Sequence, residues 1–310
     1  MKSCMKRMLA GWLVIMVACG MFIEVSMGKA EGADKISNFQ AASVKGPLVP
    51  GIGQGREWVP QGLALVPGKD WMITSHYLGK ETVNQPSGIV ITNTKTHKRV
   101  KTLYLYESFL RPHTGNVGGV AVSREHLWIV SGYTIYKLPL SVLMDRRDFS
   151  WVFMTGYEVK HKASYATYEG GVLWVGEYMD GKDNGRTTCA SGPKGRIFGY
   201  KLNASDDLSS KPVPAYSRST PDRIQGVAVN GSQIVYSQSC GRDVPSKLLV
   251  YSKAAPSKLI GTAKLPPMAE GIAFSGSWLY TSFESAAHKY AGGPYPLKNV
   301  YLINMRKLKI

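Results

Sequence analysis

Trp58-Val-Pro-Gln-Gly-Leu-Ala-Leu-Val66 is a small-residue turn running into an apolar strand, and the chain repeats it. It returns as Val117-Gly-Gly-Val-Ala-Val122, Ile224-Gln-Gly-Val-Ala-Val229 and Glu270-Gly-Ile-Ala-Phe274. A second strand follows each time: Trp71-Met-Ile-Thr-Ser, Trp128-Ile-Val-Ser, Val235-Tyr-Ser and Tyr280-Thr-Ser. A degenerate fifth pair joins Ser164-Tyr-Ala-Thr-Tyr168 to Trp174-Val-Gly. The second-strand anchors Trp71, Trp128, Trp174, Val235 and Tyr280 lie 57, 46, 61 and 45 residues apart. Periods of that size belong to propeller blades or to helical arrays. Period-two patterning and the Val, Ile, Tyr and Trp content of the segments select strands.

The expected fold is therefore all-β: a five-bladed β-propeller of four-stranded antiparallel blades. Ser150 to Thr155 is expected to supply the fourth strand of blade two, and Val213 to Ser217 that of blade three. Blade five lacks a fourth strand before Ile310, and the segment Ala41 to Val49 has weak strand character. An open ring would leave two strand edges bare, which invites aggregation. Ring closure by the N-terminal segment in blade five removes both. Gly at the start of the inner strands fits a crowded axis, through close approach of backbones and through positive φ.

Residues 1–30 read as a secretory leader, leaving 31–310 as a single propeller domain. Lys2, Lys6 and Arg7 precede an apolar run from Leu9 to Ile23, and Gly28-Lys29-Ala30 offers small residues around a cleavable bond. The run is short for a membrane span. The competing reading is lipid attachment at Cys19. After the leader only Cys189 and Cys240 remain, and two cysteines in an exported chain imply one disulfide.

The whole chain carries a net charge of +17; without the leader, 34 basic residues face 20 acidic ones, about +14. Such a surface suits an anionic envelope polymer or membrane surface, or is simply solvated. No basic recognition helix or nucleic-acid motif is present, so no nucleic acid is expected. Gly-x-Ser-x-Gly elbows, zinc helices and P-loops are absent as well.

In a propeller, the turns leading into first strands and out of second strands open on one face around the axis. That places Gln61, His113, Asn116, Gln225 and Glu270 on the first set of turns. His76, Tyr77, Glu177, Tyr178, Gln238 and Glu284 fall on the second. Turns need Gly, Asn or Asp for backbone reasons, not Gln or Glu. A polar ring around the axis is the expected binding site, with Glu177, Glu270, Glu284 and His113 as candidate acid–base groups. Gln61, Asn116, Gln225, Gln238 and His76 are candidate ligand contacts. Each has a structural alternative: the glutamines as backbone partners, His113 as a turn residue. Carboxylates gathered on one channel need a cation, an arginine or a proton. Hard oxygen ligands would favour Ca²⁺. His97 and His126 are expected in outer, solvent-facing turns.

The run Val-Pro-Gln-Gly-Leu-Ala, His-Thr-Gly-Asn-Val-Gly-Gly-Val-Ala, Leu-Trp-Val-Gly-Glu and Glu-Gly-Ile-Ala resembles a group of exported bacterial β-propeller proteins over most of the chain after the leader. That group is broadly similar to quinoprotein-dehydrogenase-like and lactonase-type propellers. The lactonase likeness implies an axial divalent cation held by a glutamate and asparagines, parts that Glu270 and Asn116 would take. Lactonases have six blades, whereas this repeat gives five. The functional expectation is a secreted, monomeric propeller whose central pocket binds a small molecule or a cell-envelope glycan. The alternative is a metal-assisted or carboxylate-based hydrolase of a lactone, ester or glycoside.

Overall fold

The inner strands are rich in β-branched residues and flanked by turn glycines, and each is buried on both faces. The burial of Trp58–Val66 is almost unbroken along its nine residues. A strand can be buried on both faces only if sheets pack on either side of it, which is the situation inside a propeller. The structure, a computed structural model, describes residues 36–52, 57–79, 85–180, 189, 193–254 and 257–310. The leader expected at 1–30, including Cys19, lies outside them, as does most of the connection 181–192.

Among the described residues the strands form five sheets. Blade one is built on Trp58–Val66, Trp71–Leu78, Gly88–Asn93 and Arg99–Ser108. Blade two holds Gly119–Val122, His126–Ser131, Thr134–Pro139 and Thr155–Glu158. Blade three holds Tyr165–Glu169, Val172–Gly176, Pro193–Lys201 and Tyr216–Pro221. Blade four runs through Ile224–Asn230, Gln233–Gln238, Ser246–Ser252 and Leu259–Leu265. Blade five contains Ala269–Ser275, Trp278–Phe283 and Asn299–Asn304, and Ser43–Leu48 completes it as an antiparallel partner of Asn299–Asn304. The ring thus closes between the two ends of the chain, as the sequence implied. The five inner strands touch in a closed cycle.

The core is divided among the five blade interfaces, one apolar cluster at each. Ile73, Ile91 and Leu105 of blade one meet Val120, Leu127 and Ile129 of blade two. Trp128 and Val130 meet Leu173 and Val175, and Tyr165 and Ile197 meet Val227 and Tyr236. Val235 and Val250 meet Leu279 and Phe283. The closing interface joins Leu63 and Met72 to Val49 and Val300. Alternation assigns the faces: Ala64 and Val66 look toward blade two, Leu63 and Leu65 toward blade five.

The glycines act through close approach. A Cβ on Gly62 would lie 2.6 Å from the Val120 backbone nitrogen, and one on Gly271 2.7 Å from the Gln61 carbonyl oxygen. Neither has a positive φ, so that half of the expectation fails; positive φ falls at turn glycines such as Gly68 and Gly276.

Two strand assignments also differ. Ser150–Phe153 does not belong to blade two; it runs parallel to Arg99–Ser108 on the outer edge of blade one. Thr155–Glu158 takes the expected place beside Thr134–Pro139. The fourth strand of blade three is Tyr216–Pro221 rather than 213–217. His126 is not solvent-facing either: its Nδ1 lies 3.0 Å from the Asp206 carbonyl oxygen. Among the described residues no helix is long and apolar enough to cross a membrane.

Candidate functional site

Four second strands carry a repeated serine in their last half: Ser75, Ser131, Ser237 and Ser282. Three of them tie neighbouring blades together. Ser75 Oγ accepts the Gly62 N–H and donates to the Val117 carbonyl at 2.7 Å. Ser237 donates to the Glu270 carbonyl at 2.6 Å. Ser282 donates to the Gly271 and Gln61 carbonyls. These bonds fix the backbone at the axial end of each inner strand.

At that end the pairing slips in three blades. The register shifts between Pro60 and Leu63, between Ile224 and Gly226, and between Ala269 and Ile272. In each, the inner strand carries one residue more than its partner, a β-bulge, which re-aims a side chain and recurs beside active sites. Gln61, Gln225 and Glu270 occupy these three bulges.

The bulged residues converge with Glu284 on one carboxyl pair. Gln61 Nε2 donates to Glu284 Oε2 at 3.1 Å, across 223 residues of chain. Gln225 Nε2 donates to Glu270 Oε1 at 3.0 Å. The two carboxyl groups hydrogen-bond to one another, and Tyr290 bonds to Glu284. Tyr77 acts electrostatically on Tyr290, and its hydroxyl receives Lys289 Nζ at 3.0 Å. Both carboxyls are buried. Burial pushes Glu270 well above the usual carboxylate range, and the adjacent Glu284 charge adds to it. Burial also raises Glu284, with Glu270, Tyr290, Lys289 and Gln61 pulling back, to about 7. Two like charges in contact without water cannot both persist, so the pair retains a proton at neutral pH. The same burial raises Tyr178 and Tyr290.

A cavity of about 290 Å³ opens beside Glu284. Gln61, Tyr77, Asn116, Tyr178, Gln225, Glu284 and Tyr290 line it, with Lys162 at its edge. Its walls offer hydroxyls, amides and the Glu284 carboxyl, which together both donate and accept.

Strand alternation divides the other candidates. Relative to the repeated serine, or to Gly176 at its place in blade three, the second residue beyond it lines the cavity in three blades: Tyr77, Tyr178 and Glu284. The first residue beyond it turns away. His76 is fully buried, stacks on Trp58 with ring centroids 5.4 Å apart, and meets Thr74 Oγ1 through Nε2 at 2.8 Å. Its burial lowers its pKa to about 3, so it stays neutral. Gln238 is buried against Asp222, donating to its side chain and its carbonyl at 3.0 Å. Glu177, half-buried, does not line the cavity and acts electrostatically on His161 and Tyr165.

His113 lies in a separate network. Its Nδ1 is 2.9 Å from Glu107 Oε1 and its Nε2 is 3.1 Å from Ser131 Oγ. Tyr136 and Arg111 also bind Glu107. Burial would raise Glu107, but hydrogen bonds from His113 and Tyr136 outweigh it and hold the carboxyl below its ordinary value. The connectivity Ser–His–Glu resembles a nucleophilic triad, yet neither Ser131 nor His113 lines the axial cavity.

Sequence reasoning missed Tyr290 and Lys289. They come from the connection after Phe283, outside the repeat, and only a three-dimensional return brings them to the mouth. It also missed Arg223, which binds Asp180 through its carbonyl at 2.6 Å and its carboxylate at 3.2 Å, and so joins blades three and four beside the cavity. Cys189 and Cys240 form the expected disulfide between the same two blades, with Cα atoms 5.5 Å apart.

The donor set does not fit the expected calcium ion. Among the described residues no group of three or more His, Cys, Asp or Glu side chains is arranged to hold a metal. The glutamine amides present N–H donors to the carboxyls, and the two carboxyls spend oxygens on each other. Ca²⁺ takes six to eight oxygen ligands.

No model of a known protein family matches the sequence, and no curated protein matches it. Solved structures that share its course include a glutaminyl cyclase from Myxococcus xanthus, with a TM-score of 0.47 and 11% identity over 83% of this chain and 96% of that one. A GH43_1 enzyme from Xanthomonas citri reaches a TM-score of 0.48 at 11% identity, over 87% of this chain and 92% of the other. A glucose dehydrogenase reaches 0.42 at 9% identity, over 83% and 86%. Likeness at this level assigns no activity. What the strand pairing and the axial side chains define is a five-bladed β-propeller with a proton-sharing carboxyl pair at one mouth.

Proposed function

We propose that the protein binds a small hydroxyl-rich ligand, such as a sugar unit or the end of a cell-envelope glycan, in the axial mouth. The reading rests on one observation: Glu284, paired with the buried Glu270, lines a 290 Å³ cavity together with Gln61 and Gln225. That size lies at the lower end of small-ligand sites. A pair holding a proton at neutral pH is both donor and acceptor, as a sugar hydroxyl requires. The protein acts as a monomer outside the cell, where the Cys189–Cys240 disulfide persists.

Titration calorimetry with mono- and disaccharides, repeated on Gln61→Ala, tests this. Binding that weakens at least about tenfold in the variant supports the reading. Sugars that bind equally to both would remove the axial mouth from the account.

The shared proton also favours a second reading, a hydrolase in which the pair activates one water. A two-carboxylate glycosidase is a poorer match, because its acid and base stand about 5–9.5 Å apart. Turnover of chromogenic esters or lactones, abolished by Glu270→Gln, would select the hydrolase. A calcium-induced rise in Tm, lost in that variant, would restore the metal-assisted form.

A further inference from the structure

The outer edge of blade one departs from the other four blades. Its extra strand, Ser150–Phe153, alternates in burial: Val152 is enclosed, while Trp151 and Phe153 are exposed. The rings on the exposed side are continuous. Trp151 stacks on Tyr106 at 4.8 Å between centroids, and Phe153 meets the same tyrosine at 6.3 Å. Phe109 lies 6.4 Å from Trp151. Phe109 and Leu110 form the tip of the hairpin between Arg99–Ser108 and Arg111–Pro112, with 70% and 85% of their surfaces exposed. With Phe149, the exposed apolar area is on the order of 500 Å², at the upper end of what a monomer shows without a partner. A second feature marks the same place. Phe149 is held at φ 59°, a left-handed backbone that costs an aromatic residue energy and is retained chiefly where surroundings enforce it. The Arg99 guanidinium sits 4.9 Å above its ring.

Charge identifies the occupant. Arg99 and Arg111 flank the rings, paired with Asp148 and Glu107, and Arg146 and Arg147 are exposed just before the strand. The chain as a whole carries +17. A second copy seated face to face would oppose these arginines to themselves. A glycan would stack on the flat rings but leave Leu110 in water. An anionic bilayer satisfies both parts: rings and Leu110 enter the acyl boundary, and the arginines stay at the phosphates. We propose that the Phe109–Leu110 tip and the Phe149, Trp151 and Phe153 row form a face that docks on anionic lipid.

The test uses the full chain and hydroxyl-radical footprinting read residue by residue, with vesicles of phosphatidylglycerol or of phosphatidylcholine. Expected is at least about threefold protection of Phe109, Leu110 and Trp151 by phosphatidylglycerol only, diminished by high salt. The apolar run from Leu9 to Ile23 could hold the chain on either vesicle, so retention alone decides nothing; protection of the patch does. A Phe109→Ser, Leu110→Ser double variant, altered only at exposed positions, should keep the wild-type Tm and lose the protection of Trp151. Unchanged reactivity of the patch on phosphatidylglycerol overturns the proposal. So does protection that grows with protein concentration without vesicles, which would mean a second copy. Protection by isolated wall polymer but not by vesicles would mean a glycan and also overturn it.

Discussion

Glu284→Gln should make the protein more stable at alkaline pH and flatten its response to pH. In the folded protein Glu284 keeps its proton to about pH 7, against an ordinary value of 4.5. The folded form therefore binds more protons than the unfolded chain between those values, and stability declines as pH rises through that window. Stability contributed by the protonated group is complete below 4.5 and lost once pH passes 7. Integrated from pH 5 to pH 8, this single group costs about 2–3 kcal/mol. Glu270, also raised, adds to the loss in the same direction. A glutamine has no charge to bury and can still accept from Gln61 or Tyr290. Urea unfolding of wild type and variant at pH 5 and pH 8 reads the effect of the pair, because the titrating groups other than Glu270 are common to both. The variant should lose about 2–3 kcal/mol less than wild type over that interval, on the order of 5 °C or more in Tm. Equal losses in both proteins would refute the reasoning, since the pair would then be ionised or solvated.

Three further outcomes follow from the fold. Gly271→Ala should cost more than about 3 kcal/mol or prevent folding, since its Cβ meets backbone of blade one; Gly276→Ala, at φ 58° in open space, should cost only about 1 kcal/mol, both read by urea unfolding. Ser237→Ala removes the donor to the Glu270 carbonyl and should cost about 1–2 kcal/mol by the same measurement. Replacing Cys189 and Cys240 by serine opens a loop of 51 residues and should lower stability by about 4 kcal/mol in the chain-entropy view. A reductant should destabilise wild type to the same level and leave the double variant unmoved.

The repeat made the ring readable because each blade must bury the same faces. Trp71, Trp128, Trp174, Val235 and Tyr280 all stand on second strands, and the weak segment before Val49 closes blade five. The run Ser150 to Glu158 was harder. It looks like one strand, but the chain changes blades at Met154, and its first half pairs in parallel with a strand some fifty residues earlier. Local pattern holds no information about such a partner. At the site, the glutamines and glutamates of the Gln-Gly and Glu-Gly pairs were visible because turns have no need of them. The split between Glu284 and its neighbours in other blades was available too. Counting in twos from the repeated serine, or from Gly176 at its place in blade three, separates Tyr77, Tyr178 and Glu284 from His76, Glu177 and Gln238. Tyr290 was not available, because it enters from a connection that does not repeat.

The most direct measurement is a carbon-13 NMR titration of glutamate side-chain carboxyls, with Glu284→Gln and Glu270→Gln for assignment. The account expects one resonance with a midpoint near pH 7, a second also raised well above the ordinary carboxylate range, and each shifting when the other residue is replaced. Two independent midpoints near 4.5 would contradict it, because carboxyls that ionise freely cannot be in contact and shut away from water at the mouth of this ring.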